Sequence, residues 1–189
     1  MRLVSRPHVL GIDDAPFRKG HDSAVPIVGV LMEGPDLIEA IAIGRFPVDG
    51  DDATGYLAGW IRERRAFRGI QAIFLGGITI AGLGLVDLEQ LAEALSRPVL
   101  AVTRHDPAGS ELRRALRVAG LSGRLPLLDR TPAAVAAAPG LYVAAAGLSP
   151  AEAVVLVRGT LAKSRVPEPL RVAHMLAAAL VNGESHGRV

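Results

Sequence analysis

Three β-rich stretches, "PHVLGID" (7 to 13), "AVPIVGVLME" (24 to 33) and "DLIEAIAIGRFPV" (36 to 48), open the chain with Gly, Pro and Asp between them. They predict an antiparallel meander, with Pro26 at an edge or bulge of the second strand. The pattern then changes. "DDATGYLAGWIRERRAF" places Tyr56, Leu57, Trp60, Ile61 and Arg64 at helical spacing, with Asp51 or Asp52 as N-cap. Short continuous apolar runs at 70 to 77 and 98 to 103 read as buried parallel strands. Between and after them lie helical patterns: "VDLEQLAEALSR" capped by Asp87, "SELRRALRVAG", "SPAEAVVLVRGTLAKS" with a Ser149 and Glu152 capping box, and a final "PEPLRVAHMLAAALVNG". "LYVAAAG" reads as one more strand of the alternation, and "TPAAVAAAPG" (131 to 140) as a short helix or a linker. A meander followed by alternating β and α units predicts an α/β fold. Its sheet is mixed, with three antiparallel strands, then parallel strands, and helices on both faces. With 189 residues and no internal repeat, residues 1–189 are expected to form a single domain.

Half of the residues are apolar, but Gly, Pro and charges interrupt every run before it reaches the roughly 18 to 20 residues of a membrane span. No signal-type apolar segment follows the two N-terminal arginines, so a soluble cytoplasmic protein with no membrane partner is expected. Cysteine is absent, which excludes disulfides, thiolate metal sites and a cysteine nucleophile. Any metal must be held by Asp, Glu or His. A net charge of +2 does not by itself argue for nucleic-acid binding. Local basic clusters at 62 to 68, at Arg113, Arg114 and Arg117, and at Arg18 and Lys19 read first as solvated surfaces.

Two acidic strand ends carry the chemical signal. "GIDDAPF" places Asp13 and Asp14 where the first strand leaves the sheet, the position at which α/β sheets collect ligands, and strand alternation turns the two carboxylates to different sides. "VDGDDAT" (48 to 54) supplies Asp49, Asp51 and Asp52 between a strand and a helix. A calcium loop of the EF-hand type counted from Asp49 fails, because Thr54 falls where glycine is required and Trp60 where glutamate is. One aspartate suffices for a helix cap, so the others are candidates to join Asp13 around Mg²⁺ or Mn²⁺, which needs only one or two carboxylates plus waters and phosphates. The glycine-rich segment 74 to 87 matches no phosphate-loop pattern, and Thr79 is the side-chain donor at its centre. Arg104 and His105 stand at a strand end, suited to face a phosphate. His174 shares a stripe with Leu170, Ala173, Ala177 and Val181, so a mostly buried, non-catalytic histidine is expected there. No G-x-S-x-G elbow supports a serine hydrolase.

The order of "GIDDAPF", "VDGDDAT", "GITIAG" with "VDL", "AGLS", "PEPLRVAH" and "GESHGR", covering residues 8 to 188, resembles domain-of-unknown-function family 99, a mostly archaeal group related to endonuclease V. That resemblance implies a ribonuclease H-like fold and Mg²⁺-dependent phosphodiester cleavage. Asp13 matches the first-strand aspartate of endonuclease V, Arg104 falls where its lysine does, and "PEPLRVAH" is similar to its P-E-P-T-R-x-A-H helix. The chain departs from it elsewhere. Gly76 replaces the aspartate of the D-G-H-G motif, and Leu148 replaces the histidine of P-G-H-R.

The resulting expectation is an endonuclease V-like, divalent-metal-dependent phosphodiester hydrolase acting on nucleic acid or a nucleotide. Asp13, Asp49, Asp51 and Asp52 supply metal ligands, and Asp13, Asp51, Asp52 and Arg104 are the catalytic candidates. Asp14, Arg18, Lys19, Thr79 and His105 contact substrate. Two alternatives stand beside it: a nucleic-acid-binding module of the same fold that has lost catalysis, and a small-molecule enzyme with a nucleotide-like ligand in the acidic pocket.

Overall fold

The structure is a computed structural model that describes residues 6–104 and 110–186. Strands β1 (His8–Asp14), β2 (Ala24–Glu33) and β3 (Leu37–Pro47) form the expected antiparallel meander, with a bulge where Leu31 and Met32 meet β3. Helix α1 (Ala53–Arg62) leads to β4 (Ala72–Leu75), which returns parallel to β1. All four β4 residues are buried, as expected of a strand covered on both faces. A small hairpin of β5 (Thr79–Ile80) and β6 (Gly84–Leu85) follows, then α2 (Leu88–Leu95) and β7 (Val99–Thr103), parallel to β4. The remaining elements are α3 (Ser110–Val118), α4 (Leu125–Asp129), β8 (Val135–Ala138), β9 (Leu141–Ala146), α5 (Pro150–Gly159) and α6 (Glu168–Asn182). The seven-stranded sheet has the order β3-β2-β1-β4-β7-β9-β8.

The last part of this order corrects the expectation for residues 131 to 147. β8 replaces the short helix or linker, and Gly140, with φ 69°, reverses the chain into β9. A two-residue turn fixes β9 antiparallel to β8 and brings it alongside β7 antiparallel, where simple alternation predicts a parallel strand. Ala137 is fully buried between neighbours exposed or half-buried, so the alanine run follows a strand period that its weak side chains barely announce. The caps read from the sequence form: Asp87 accepts from the Gln90 N–H at 3.0 Å, and Ser149 and Glu152 make the capping box, while Gly183 ends α6 in the left-handed conformation.

Each face of the sheet has its own core. Leu10 and Ile12 of β1 join Leu57, Ile61, Leu88 and Leu91 under α1 and α2. Val9 joins Leu156, Val157 and Leu170 under α5 and α6. The second face is closed by an unusually near approach. A Cβ on Gly11 would lie 2.3 Å from the Pro169 carbonyl carbon and 2.6 Å from the Leu170 nitrogen, so only glycine admits the first turn of α6 to the β1 backbone. No helix among the described residues is long and apolar enough to cross a membrane.

The contact is backbone to backbone and cannot be relieved by a side-chain rotation. Gly11→Ala is therefore expected to destabilise the fold by about 1 to 3 kcal/mol, read as a lowered urea midpoint with an unchanged m-value.

Candidate functional site

The seat at Gly11 also sets what stands over Asp13. Two residues along a strand advance about 6.6 Å and four along a helix about 6 Å, so a helix running along β1 with Pro169 and Leu170 over Gly11 carries position 174 over Asp13. His174 Nδ1 lies 2.8 Å from Asp13 Oδ2. The other carboxylate oxygen of Asp13 accepts from the Asp14 N–H at 3.0 Å. This corrects the reading of His174 as a buried core histidine: its side chain is 47% exposed. The buried stripe of α6 consists of Leu170, Ala173 and Ala177, and His174 flanks it at the sheet end, where Asp13 takes the place of an apolar neighbour. The hydrogen bond to Asp13 raises the His174 pKa above its ordinary value.

Asp13, Gly76, Val102, Arg104, Val166, Leu170 and His174 line one cavity of about 240 Å³. Gly76 follows the β1–β4 register, which pairs Ile12 with Leu75, and so stands beside Asp13. A Cβ there would lie 3.1 Å from Asp13 Oδ1. The cavity thus has one carboxylate, one imidazole and one guanidinium over an aliphatic wall.

Asp14 turns to the opposite face. Its carboxylate accepts a hydrogen bond from the Ala81 N–H in the β5–β6 hairpin, and burial, reinforced by the neighbouring Asp13 charge, pushes its pKa up to about 6. Asp49 grips the same hairpin: its N–H donates to the Ala81 carbonyl at 2.8 Å and its Oδ1 accepts from the Leu83 N–H at 2.8 Å. Lys19 pairs with Asp49 Oδ2 at 3.0 Å.

"VDGDDAT" therefore divides into three tasks. Asp49 holds the hairpin. Asp51, 95% exposed, pairs with Arg124, and Asp52 caps α1 through the Gly55 N–H at 2.9 Å. Asp49 and Asp52 both have positive φ, 53° and 50°, a conformation aspartate tolerates better than most residues. Arg124, which sequence reasoning overlooked, latches this turn by donating to the carbonyls of Asp49 at 2.8 Å and Leu83 at 2.6 Å.

The structure accordingly does not gather Asp49, Asp51 and Asp52 around Asp13. Among the described residues, the one group of three or more side chains whose donor atoms converge closely enough for a metal is His8, Glu33 and Glu39. Thr79 lies in the hairpin, paired with Leu85. Arg18 lies in the exposed turn where its N–H meets Asp22, and His105 lies outside the described residues. Leu148 is also relocated. It follows β9, whose end pairs with the start of β7 at Val99, about 17 Å along the strand from Arg104. The histidine at the Asp13 end comes instead from "PEPLRVAH", a segment whose Glu168 is buried in an ion pair with Arg171 at 2.7 Å.

A folded Asp14 keeps its proton up to about pH 6, whereas an unfolded aspartate releases it near 3.8, so this residue lowers stability as pH rises through that window and leaves it lowered above. Asp14→Asn keeps the acceptor for Ala81. It is expected to flatten this fall and to gain about 1 to 2 kcal/mol near neutral pH, measured by urea unfolding at mildly acidic and neutral pH; no gain at neutral pH would remove the account.

The sequence profile described as endonuclease dU matches residues 5–181. A UPF0215 protein of Deinococcus radiodurans is 37% identical over 183 residues, covering 96% of this chain and 92% of that protein. Another, from Methanothermobacter thermautotrophicus, is 33% identical over 190 residues, covering 98% and 93%. A protein of unknown function from Archaeoglobus fulgidus superposes with a TM-score of 0.85 at 31% identity, over 94% of this chain and all of that one. Endonuclease V from Ciona intestinalis, in complex with a 24mer DNA containing an inosine, superposes with a TM-score of 0.55 at 15% identity over 89% and 82%. Endonuclease V from Streptomyces avermitilis gives 0.59 at 16% over 96% and 87%. These last two likenesses are of fold, the mixed ribonuclease H-like sheet. By sequence and structure together, the chain belongs to the endonuclease dU family.

Proposed function

We propose that this protein is a divalent-metal-dependent endonuclease that hydrolyses a phosphodiester in DNA carrying deoxyuridine. The observation that carries the reading is the convergence of Asp13, His174 and Arg104 on one cavity at the strand ends. The description of the family names the nucleotide, and the Ciona endonuclease V of the same fold was crystallised on DNA with another deaminated nucleoside, inosine.

Asp13 and His174 would hold the ion. One carboxylate with the remaining positions left to water and phosphate oxygens suits Mg²⁺ or Mn²⁺, and the imidazole adds a nitrogen donor that Mn²⁺ accepts more readily than Mg²⁺. A bound divalent ion supplies Lewis-acid polarisation of the phosphate and acidifies the attacking water. Arg104, at the mouth of the cavity, faces the phosphate and offsets the charge that grows on its oxygens during attack. Asp14, on the other face, keeps the hairpin at the sheet end in place rather than touching substrate. Lys19 and Arg18 lie at the surface of the same end and offer contacts to flanking backbone phosphates.

One observation favours a second reading. With Gly76 beside Asp13, the cavity lining has no second carboxylate among the described residues, and a protein that binds DNA but no longer cuts it would tolerate that loss.

A labelled oligonucleotide with a single deoxyuridine separates the two. Under the first reading it is cut in Mn²⁺ or Mg²⁺, the thymidine control is spared, and chelation abolishes cleavage. Asp13→Ala, His174→Ala and Arg104→Ala each lower the rate by roughly 10²- to 10³-fold, with thermal unfolding showing that they remain folded. Asp51→Asn, altering an exposed aspartate away from the cavity, leaves cleavage within about 3-fold of the parent. Salt-sensitive binding without turnover in any metal would establish the second reading instead.

A further inference from the structure

The end of the sheet remote from Asp13 holds a separate convergence of donors. His8 opens β1 and pairs in register with Glu33 at the end of β2, so the two side chains share a face. The bulge in the β2–β3 ladder supplies the third. Leu31 faces Ala40 and Met32 faces Ile38, which leaves Glu39 as the extra residue. Released from the ladder, Glu39 reaches across β2, and its Oε2 lies 2.7 Å from His8 Nδ1. One donor atom from each of His8, Glu33 and Glu39 lies within 4.8 Å of the other two. Two ligand atoms near 2 Å from one ion lie no more than about 4 Å apart, so a small closing rotation of these side chains brings the three donors onto one ion.

The surroundings favour a cation. Arg6 holds Glu33 through Oε1 at 3.0 Å, which fixes that carboxylate while its second oxygen makes no contact with the guanidinium; such outer hydrogen bonding orients metal ligands. The same guanidinium pairs with Asp36. Among the described residues, the carboxylates of Glu33, Glu39 and Asp36 outnumber the one guanidinium of Arg6 by two. The three donor side chains are 33%, 30% and 29% exposed, sheltered enough to be held and open enough to load.

We propose that His8, Glu33 and Glu39 form a binding site for one divalent ion of the zinc class, with water completing the shell. An imidazole nitrogen beside two carboxylate oxygens is a donor set that Zn²⁺ accepts readily. The site lies about 17 Å along β1 from Asp13. It is independent of the nuclease reading and its role is structural, since one ion would tie β1, β2 and the edge strand β3 together.

The test uses the tag-free full-length chain carrying Asp13→Ala, so that the candidate catalytic cavity contributes no ligand. After removal of metal, Zn²⁺ is titrated against a chromogenic chelator, and Co²⁺ is added in parallel to read the visible absorption of a low-coordinate site. One equivalent of Zn²⁺ is expected. His8→Ala and, separately, the isosteric Glu39→Gln each weaken binding by at least ~10-fold and remove the Co²⁺ band, while far-UV circular dichroism is unchanged. Uptake well below one equivalent, or affinity that survives both substitutions, would overturn the proposal whatever the outcome of the cleavage assay.

Discussion

The contact between the Gly11 backbone and the first turn of α6 organises the rest of the molecule. Because α6 rests directly on β1, the rise of the helix keeps pace with that of the strand, and each position on one has a fixed counterpart on the other. Leu170 then belongs to the core and His174 to Asp13. A side chain at position 11 would lift the helix by a large fraction of the Asp13–His174 hydrogen bond. The glycine of "GIDD" and the histidine of "PEPLRVAH" are thus parts of one device, although 163 positions separate them.

Consecutive aspartates on a strand receive opposite environments. Asp13 faces an imidazole and an arginine at an open cavity, whereas Asp14 faces a backbone amide in a desolvated niche. Burial and the Asp13 charge disfavour the charged form of Asp14, which holds the hairpin. The carboxylates of "VDGDDAT" are likewise occupied, by an amide, by Arg124 and by a helix N-terminus. Excess acid in a sequence therefore did not mean excess ligand.

The meander, the buried strands, the caps and the helices other than α4 were legible because each rests on local rules: strand-forming side chains, apolar period and capping chemistry. What escaped rests on contacts distant in sequence. The alanine run at 131 to 138 carries too little side-chain contrast to declare a strand, and β9 runs antiparallel because a glycine turn, not a helix, precedes it. The same reversal moved Leu148 to the far end of the sheet and left a different histidine at the site. Asp13 was placed by its strand end. His174 shared a helical stripe with core residues, and only the seat of α6 on Gly11 reveals that it reaches past the core to a carboxylate.

The long separation between the two halves of that device has a bearing on synthesis. Asp13 and His174 stand 161 positions apart, and α6 follows β1 and every other described element. β1 emerges before α6, and its neighbour at the sheet end does not exist until α6 has left the ribosome and docked. A nascent or truncated chain carries a bare aspartate at an uncovered sheet face. Order of synthesis thus acts as a timer: Asp13 meets His174 only after α6 has been made, and a polypeptide cut short before α6 cannot possess that pair.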